Sequence, residues 1–268
     1  MTISTMNDVI TALPGQRLLS FKSTSIAPQG FGSHWVGGFP TTTYPGASLV
    51  WVIPTSTTAG ACAFVNPTGG AKSYLARFVM TNGTSSTGTG VTILYDRLAV
   101  TGAITPAAST QTLSTTPITR PDSLGVGVEL WWEWISPSTS TAANLSCSYT
   151  NQAGTAGRTT DLIAGITTSV AGQMQQLTLP DTGVRSVESF TSTAAIGGTG
   201  MLVLLRRIAM VPTLGPIADV SSPTPAITSL DVVGLGMPQI YDNACLALMG
   251  LASAGAFPAR GFIDIIQG

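Results

Sequence analysis

The run Val126-Gly127-Val128-Glu129-Leu130-Trp131-Trp132-Glu133-Trp134-Ile135 decides how this chain is read. Side chains alternate across a β-strand with a period of two. Val126, Val128, Leu130, Trp132 and Trp134 therefore share one face, and Gly127, Glu129, Trp131, Glu133 and Ile135 share the other. The uniformly apolar face is expected to be core. Both carboxylates fall on the second face, which predicts a half-exposed strand with Trp132 and Trp134 inside and Trp131 outside.

Similar β-branched and apolar runs fill residues 18–23, 48–53, 74–80, 90–100, 143–150, 174–179, 186–193 and 201–211. Turn formers separate them: Asn66-Pro67-Thr68-Gly69-Gly70, Asn82-Gly83, Asn151-Gln152-Ala153-Gly154 and Asp181-Thr182-Gly183. Asn and Gly accept the positive φ of tight turns. Many short strands without long helical segments between them predict a mainly β chain, an antiparallel, jelly-roll-like β-sandwich over residues 17–212.

Both ends differ from this pattern. In residues 1–16, Thr5 and Asp8 form a T-x-x-D capping box, and Met6, Val9, Ile10 and Leu13 follow at helical spacing until Pro14-Gly15. So short a helix needs a docking surface. Residues 213–268 begin with a Pro-, Ser- and Thr-rich stretch that reads as an extended arm. Residues 239–252, with Ile240, Leu246, Leu248 and Met249, are apolar on nearly every side. A helix of that kind must be buried, and residues 257–266 are expected to add a final strand. The two terminal stripes, Met6, Val9, Ile10, Leu13 and Ile240, Leu246, Leu248, Met249, are the candidate subunit interface.

Composition excludes several classes. Only 9% of the 268 residues are charged, the net charge is −1, and Arg206-Arg207 is the one adjacent basic pair. A nucleic-acid binder needs clustered Lys and Arg against phosphate. No apolar span reaches the ~18–20 residues that cross a bilayer, so no membrane partner is expected. Ser, Thr, Asn and Gln supply the polarity, and a surface of neutral hydroxyls repels its neighbours weakly. That favours a subunit of an assembly over a free monomer.

No catalytic or cofactor site is expected. His34 is the only histidine and lies in a Gly-rich loop without a G-x-S-x-G elbow. Cys62, Cys147 and Cys245 are far apart and odd in number, which predicts buried thiols rather than a zinc site. Glu129 and Glu133 on one strand stand about 13 Å apart, too far for the ~5.5 Å of a retaining or the ~9.5 Å of an inverting glycosidase. Asp181-Thr182-Gly183 reads as a turn after Pro180, not as one half of an aspartic-protease pair. Gly197-Gly198-Thr199-Gly200 precedes a strand rather than a helix, so it reads as a hairpin turn and not a phosphate loop. Trp131 or Trp35, if exposed, would offer a sugar-stacking shelf.

Several stretches together resemble a family of tailed-bacteriophage virion structural proteins. They are Leu75-Ala76-Arg77, Leu94-Tyr95-Asp96-Arg97-Leu98, Thr119-Arg120-Pro121-Asp122, Glu129 to Trp134, Ser148-Tyr149-Thr150-Asn151-Gln152-Ala153-Gly154, Asp181 to Val187, Leu204-Leu205-Arg206-Arg207-Ile208 and Gly236-Met237-Pro238-Gln239-Ile240-Tyr241-Asp242-Asn243-Ala244-Cys245-Leu246. The resemblance implies a non-enzymatic subunit that stabilises or decorates the capsid as a cement protein. It would sit in the virion, contacting the major capsid protein or other virion proteins, and the apolar terminal stripes add an expectation of contact with its own copies, as a trimer. The alternative is a tail or fibre binding module that recognises a host-surface carbohydrate.

Overall fold

The computed structural model describes residues 3–13, 17–22, 31–36, 46, 48–82, 90–114, 118–167, 172–213, 227–252 and 259–268. Its first half contains α1 (Met6–Ala12), β1 (Arg17–Lys22), β2 (Phe31–Ser33), β3 (Trp51–Val52), β4 (Ser73–Asn82), β5 (Gly90–Thr101), β6 (Thr110–Thr112) and β7 (Glu129–Ser136). The second half contains β8 (Asn144–Asn151), β9 (Arg158–Thr159), β10 (Ile163–Ala164), β11 (Gly172–Met174), β12 (Val184–Ser192), β13 (Thr199–Thr213) and β14 (Ile227–Leu230). Then follow α2 (Val232–Leu235), β15 (Gln239–Ile240), β16 (Leu246–Ala252) and β17 (Ala259–Gln267). The chain is mainly β and its strands pair antiparallel, as the turn spacing predicts.

Three sheets stack. The central one runs β13-β7-β11-β2-β16-β5-β3, and β13 also pairs with β5, so six strands close into a barrel-like ring with β3 attached outside. Closure removes the free edges that would otherwise attract foreign strands. One outer sheet has the order β1-β17-β4-β14, with β15 also on β4; the other runs β10-β8-β12-β6, with β9 on β8. Leu75, Phe78, Met80, Ile263 and Ile265 of the first outer sheet pack on Leu94, Val211, Leu246 and Leu248 of the ring. Leu145, Cys147, Tyr149, Val187 and Phe190 of the second pack on Leu98, Leu130, Trp132, Trp134, Leu202 and Leu204. The ring's interior is filled by Ile93, Tyr95, Trp131, Met201, Val203, Leu205, Cys245, Ala247 and Met249, with Trp35 beside them.

This stacking corrects the reading of residues 126–135. The alternation holds, because Trp132 and Trp134 face the second outer sheet and Trp131 faces the ring interior. Both faces are covered, however, so Trp131 is only 2% exposed and Glu133 is buried as well. Val126 lies before the strand and is exposed. Trp132 stacks on Phe190 with ring centroids 4.6 Å apart and planes 4° apart. Trp131 meets Phe31 edge-on at 5.2 Å. A Cβ at Gly200, which pairs with Trp134, would collide with the Trp132 indole, so the β7–β13 approach requires glycine there.

The C-terminal expectation fails in kind. Residues 239–252 form no helix: β15 adds to an outer sheet and β16 lies between β2 and β5 in the ring. Their apolar run is continuous because both faces of β16 are covered. Ile240, Leu246, Leu248 and Met249, expected on a helix at a subunit interface, are instead buried in the chain's own core. The final strand does form, as β17. The expected arm is replaced at its end by β14 and α2, and residues 214–226 of it lie outside the described residues. Gly197-Gly198 is not a hairpin turn, because β12 and β13 belong to different sheets and the glycines carry the chain between them.

At the N-terminus the capping box is present. The Thr5 hydroxyl accepts the Asp8 amide N–H at 3.3 Å, and the Asp8 carboxylate accepts the Thr5 N–H at 2.8 Å and the Ser4 N–H at 3.0 Å. These bonds hold the Asp8 carboxyl down at about 2. Pro14-Gly15 lies outside the described residues.

Because β7 is covered on both sides, Trp131→Ala and Trp132→Ala should each lower stability by about 3–5 kcal/mol, measured as a shift in urea midpoint. A Trp131→Ala variant as stable as the parent would refute the closed ring.

Candidate functional site

Charge inside this fold is arranged in pairs. Asp96 and Arg97 follow one another on β5, so their side chains leave on opposite faces, and both are buried. Arg97 Nη2 donates to Glu133 Oε2 at 2.9 Å and Nη1 donates to Oε1 at 3.3 Å, a two-pronged contact across the ring. The guanidinium lies 4.7 Å from the Trp35 ring centroid, and the Tyr95 hydroxyl donates to Glu133 Oε1 at 3.3 Å. Burial and the neighbouring Glu133 charge push the Tyr95 phenol well above its usual range. Asp96 meets Arg120, which donates at 3.3 Å and 3.1 Å to its two oxygens and also reaches the Pro54 and Arg97 carbonyls.

Asp181 is a third centre. It accepts from the Tyr149 hydroxyl, the Asn151 amide and Arg158 Nε, each at 2.7 Å. Desolvation raises its pKa, but the Arg158, Tyr149 and Asn151 hydrogen bonds outweigh that and hold the carboxyl below its usual value. Asp181 is thus a turn-fixing residue, as the sequence implies. Arg77 with Asp264 at 2.5 Å and Arg207 with Glu129 at 2.8 Å are the other ion pairs among the described residues.

Glu129 and Glu133 leave β7 for different partners: Glu133 for Arg97 within the ring, and Glu129 for Arg207 and the Trp131 indole N–H, which it accepts at 2.8 Å. They do not converge on a common point. Trp131 and Trp35, 2% and 3% exposed, offer no shelf for a sugar. His34 is buried, and burial holds its imidazole near pKa 4. Cys62, Cys147 and Cys245 are buried free thiols; desolvation pushes Cys62 and Cys245 to about 12 and Cys147 higher. Among the described residues no three His, Cys, Asp or Glu side chains gather where they could hold a metal, and no helix is long and apolar enough to cross a membrane.

Two surface features stand out. The first is α1. Val9 and Ala12 pack on Ala76 and Ile266, on the side of the first outer sheet away from the ring. Met6, Ile10 and Leu13 are 58%, 59% and 38% exposed. The second is a pocket of about 300 Å³ at the ring's rim, lined by Gly127, Val128, Glu129, Met174, Gln175, Gln176, Leu177, Asp181, Thr182 and Arg207. Sequence reading missed this pocket and every arginine partner. The signal was present in Asp96-Arg97, two adjacent charges inside an apolar run, which can be buried only if each meets an opposite charge.

Leaving a buried charge alone costs more than replacing a pair. Glu133→Leu should therefore destabilise by about 3–5 kcal/mol, and adding Arg97→Leu should recover most of the loss in urea denaturation. His34 gives a pH signature. Its folded pKa lies below the unfolded one, so stability is complete above about pH 6.5 and falls as pH drops toward 4, by about 3 kcal/mol in all. The slope of urea midpoint against pH between 6.5 and 5 should flatten in His34→Gln.

No protein-family profile and no curated protein matches this chain. Among solved structures it aligns with the VP2 subviral particle of infectious bursal disease virus, at 11% identity, over 94% of this chain and 80% of that one, with a TM-score of 0.17. With T=1 particles derived from that virus, the figures are 10% identity, 94% and 77% coverage, and a TM-score of 0.20. A likeness at those scores assigns no role to this chain.

Proposed function

We propose that the chain is a non-enzymatic structural subunit of a bacteriophage particle, a decoration or cement protein that holds to the capsid and to its own copies, as a trimer. The observation that carries this reading is the apolar stripe of α1. Met6, Ile10 and Leu13 face outward on a capped, ordered helix, where a monomer exposes apolar surface without benefit. The charge arrangement supports it. Among the described residues five arginines are tied to five carboxylates, and four of those carboxylates are nearly inaccessible, so part of an already small complement of charge is neutralised within the fold. The remaining surface relies on hydroxyl and apolar contacts, which salt does not screen.

The C-terminal strands are structural in this reading, and the interface is confined to α1. Full-length protein should scatter light as an oligomer at micromolar concentration. The triple variant Met6→Ser, Ile10→Ser, Leu13→Ser should be monomeric with an unchanged far-UV circular dichroism spectrum, because these side chains contribute little to the core. A parent chain that is monomeric under the same conditions removes the reading. Immunogold labelling of purified particles then places the chain on head or tail.

A further inference from the structure

We propose that the pocket at the ring's rim binds a neutral polyhydroxyl ligand, one sugar ring of a glycan, through Glu129, Arg207, Gln176 and Thr182. This site is separate from the aromatic shelf that Trp131 and Trp35 would have made, and it does not depend on the assembly reading.

Size comes first. A volume of about 300 Å³ lies at the small end of the ~300–1,000 Å³ usual for ligand sites, and suits one ring better than an extended chain. Charge comes second. Glu129 is paired with Arg207 in the lining, and Asp181 is paired with Arg158 just outside it, so each carboxylate of the pocket has its counterion. An anion would meet two carboxylates, and a cation would have to displace a guanidinium.

Unused hydrogen-bonding capacity points the same way. Among the described residues each Glu129 oxygen has one partner, Arg207 on Oε1 and the Trp131 N–H on Oε2, which leaves each a lone pair. Arg207 is partly exposed and has further donors beyond the one engaged with Glu129. The Gln176 amide oxygen and the Thr182 hydroxyl have no partner among the described residues, and both residues are exposed. Gln175 also lines the pocket. It is 1% exposed, its Oε1 accepts the Thr160 hydroxyl, and its Nε2 has no partner among the described residues. A buried donor left in that state is costly unless something else meets it. Carboxylate and guanidinium side by side at 2.8 Å present an acceptor next to a donor. That matches vicinal hydroxyls, each of which gives and takes one bond. Val128, Met174 and Leu177 supply an apolar wall for the C–H face of the ring.

The Trp131 indole, bonded to Glu129, makes the site observable. Methyl glycosides of glucose, galactose, mannose and N-acetylglucosamine are titrated into full-length protein to tens of millimolar. Tryptophan fluorescence and the Gln side-chain amide resonances are followed, with light scattering on the same samples. At least one glycoside should shift both signals. Gln176→Ala and Thr182→Val, at exposed positions that do not support the core, should each weaken binding by about three- to tenfold. Arg207→Met should weaken it further. A panel with no response overturns the proposal, as does a response that Gln176→Ala and Thr182→Val leave unchanged. Resonances at the pocket that move only with protein concentration would assign it to a contact between copies, and also overturn it. Because light scattering reads assembly separately, failure of the sugar site and failure of the assembly reading are distinguishable.

Discussion

The structure depends on burying two opposite charges next to each other on β5. Asp96 and Arg97 point to opposite faces of a strand that is covered on both, so neither can reach water. Each must find its counterion within the fold. Arg97 finds Glu133 on β7, across the ring, and Asp96 finds Arg120 from the segment leading to β7. Asp96 also accepts the Cys245 N–H at 2.8 Å, at the entry to β16. One dipeptide thus ties β5 to β7, to the chain before it and to the C-terminal strand. A register slip of one residue would place Arg97 where Asp96 stands and unpair both charges. Buried pairs of this kind are weak contributors to net stability, but removing either partner leaves an uncompensated charge, and the closed ring is an arrangement in which both are paired.

Closure explains why the sequence is misleading where it is. Fold class was legible because turn residues and period-two alternation are local properties, and strands at 73–82, 90–101, 144–151, 184–192 and 199–213 fall where the pattern puts them. The covering of a strand is not local. Glu129 and Glu133 read as signs of exposure in the sequence, yet Glu133 is buried because Arg97, far along the chain, meets it. In the same way, Leu246 to Leu251 has no polar period from which strand and helix could be told apart. Its neighbours β2 and β5 decide the matter, since they hold both edges of β16.

The candidate sites divide along the same line. The N-terminal capping box was legible, because three or four residues settle a helix end, but the stripe of Met6, Val9, Ile10 and Leu13 was legible only as apolar: Val9 turns inward onto Ala76 and Ile266, and that depends on the sheet beneath it. The rim pocket was not. It gathers Glu129 from β7, residues 174–177, Asp181-Thr182 and Arg207 from β13, and only the assembled sheets bring these together. Glu129 is the joint between pocket and core, since its second oxygen holds the Trp131 indole that fills the ring. The pocket's polar geometry is therefore set by a buried side chain rather than by a loop.

The layer order makes the two surface features compatible. α1 lies across the first outer sheet from the ring, through Val9 and Ala12 on Ala76 and Ile266. The pocket lies at the rim of the ring beside Asp181, whose partners Tyr149 and Asn151 belong to the second outer sheet. No described residue belongs to both, and the first outer sheet and the ring separate them. Copies joined through α1 would keep the pocket open, so an array held together on one side would present it repeatedly on the other. Weak binding of single sugar rings gains from such repetition, because each further contact on the same array forms at a high effective concentration.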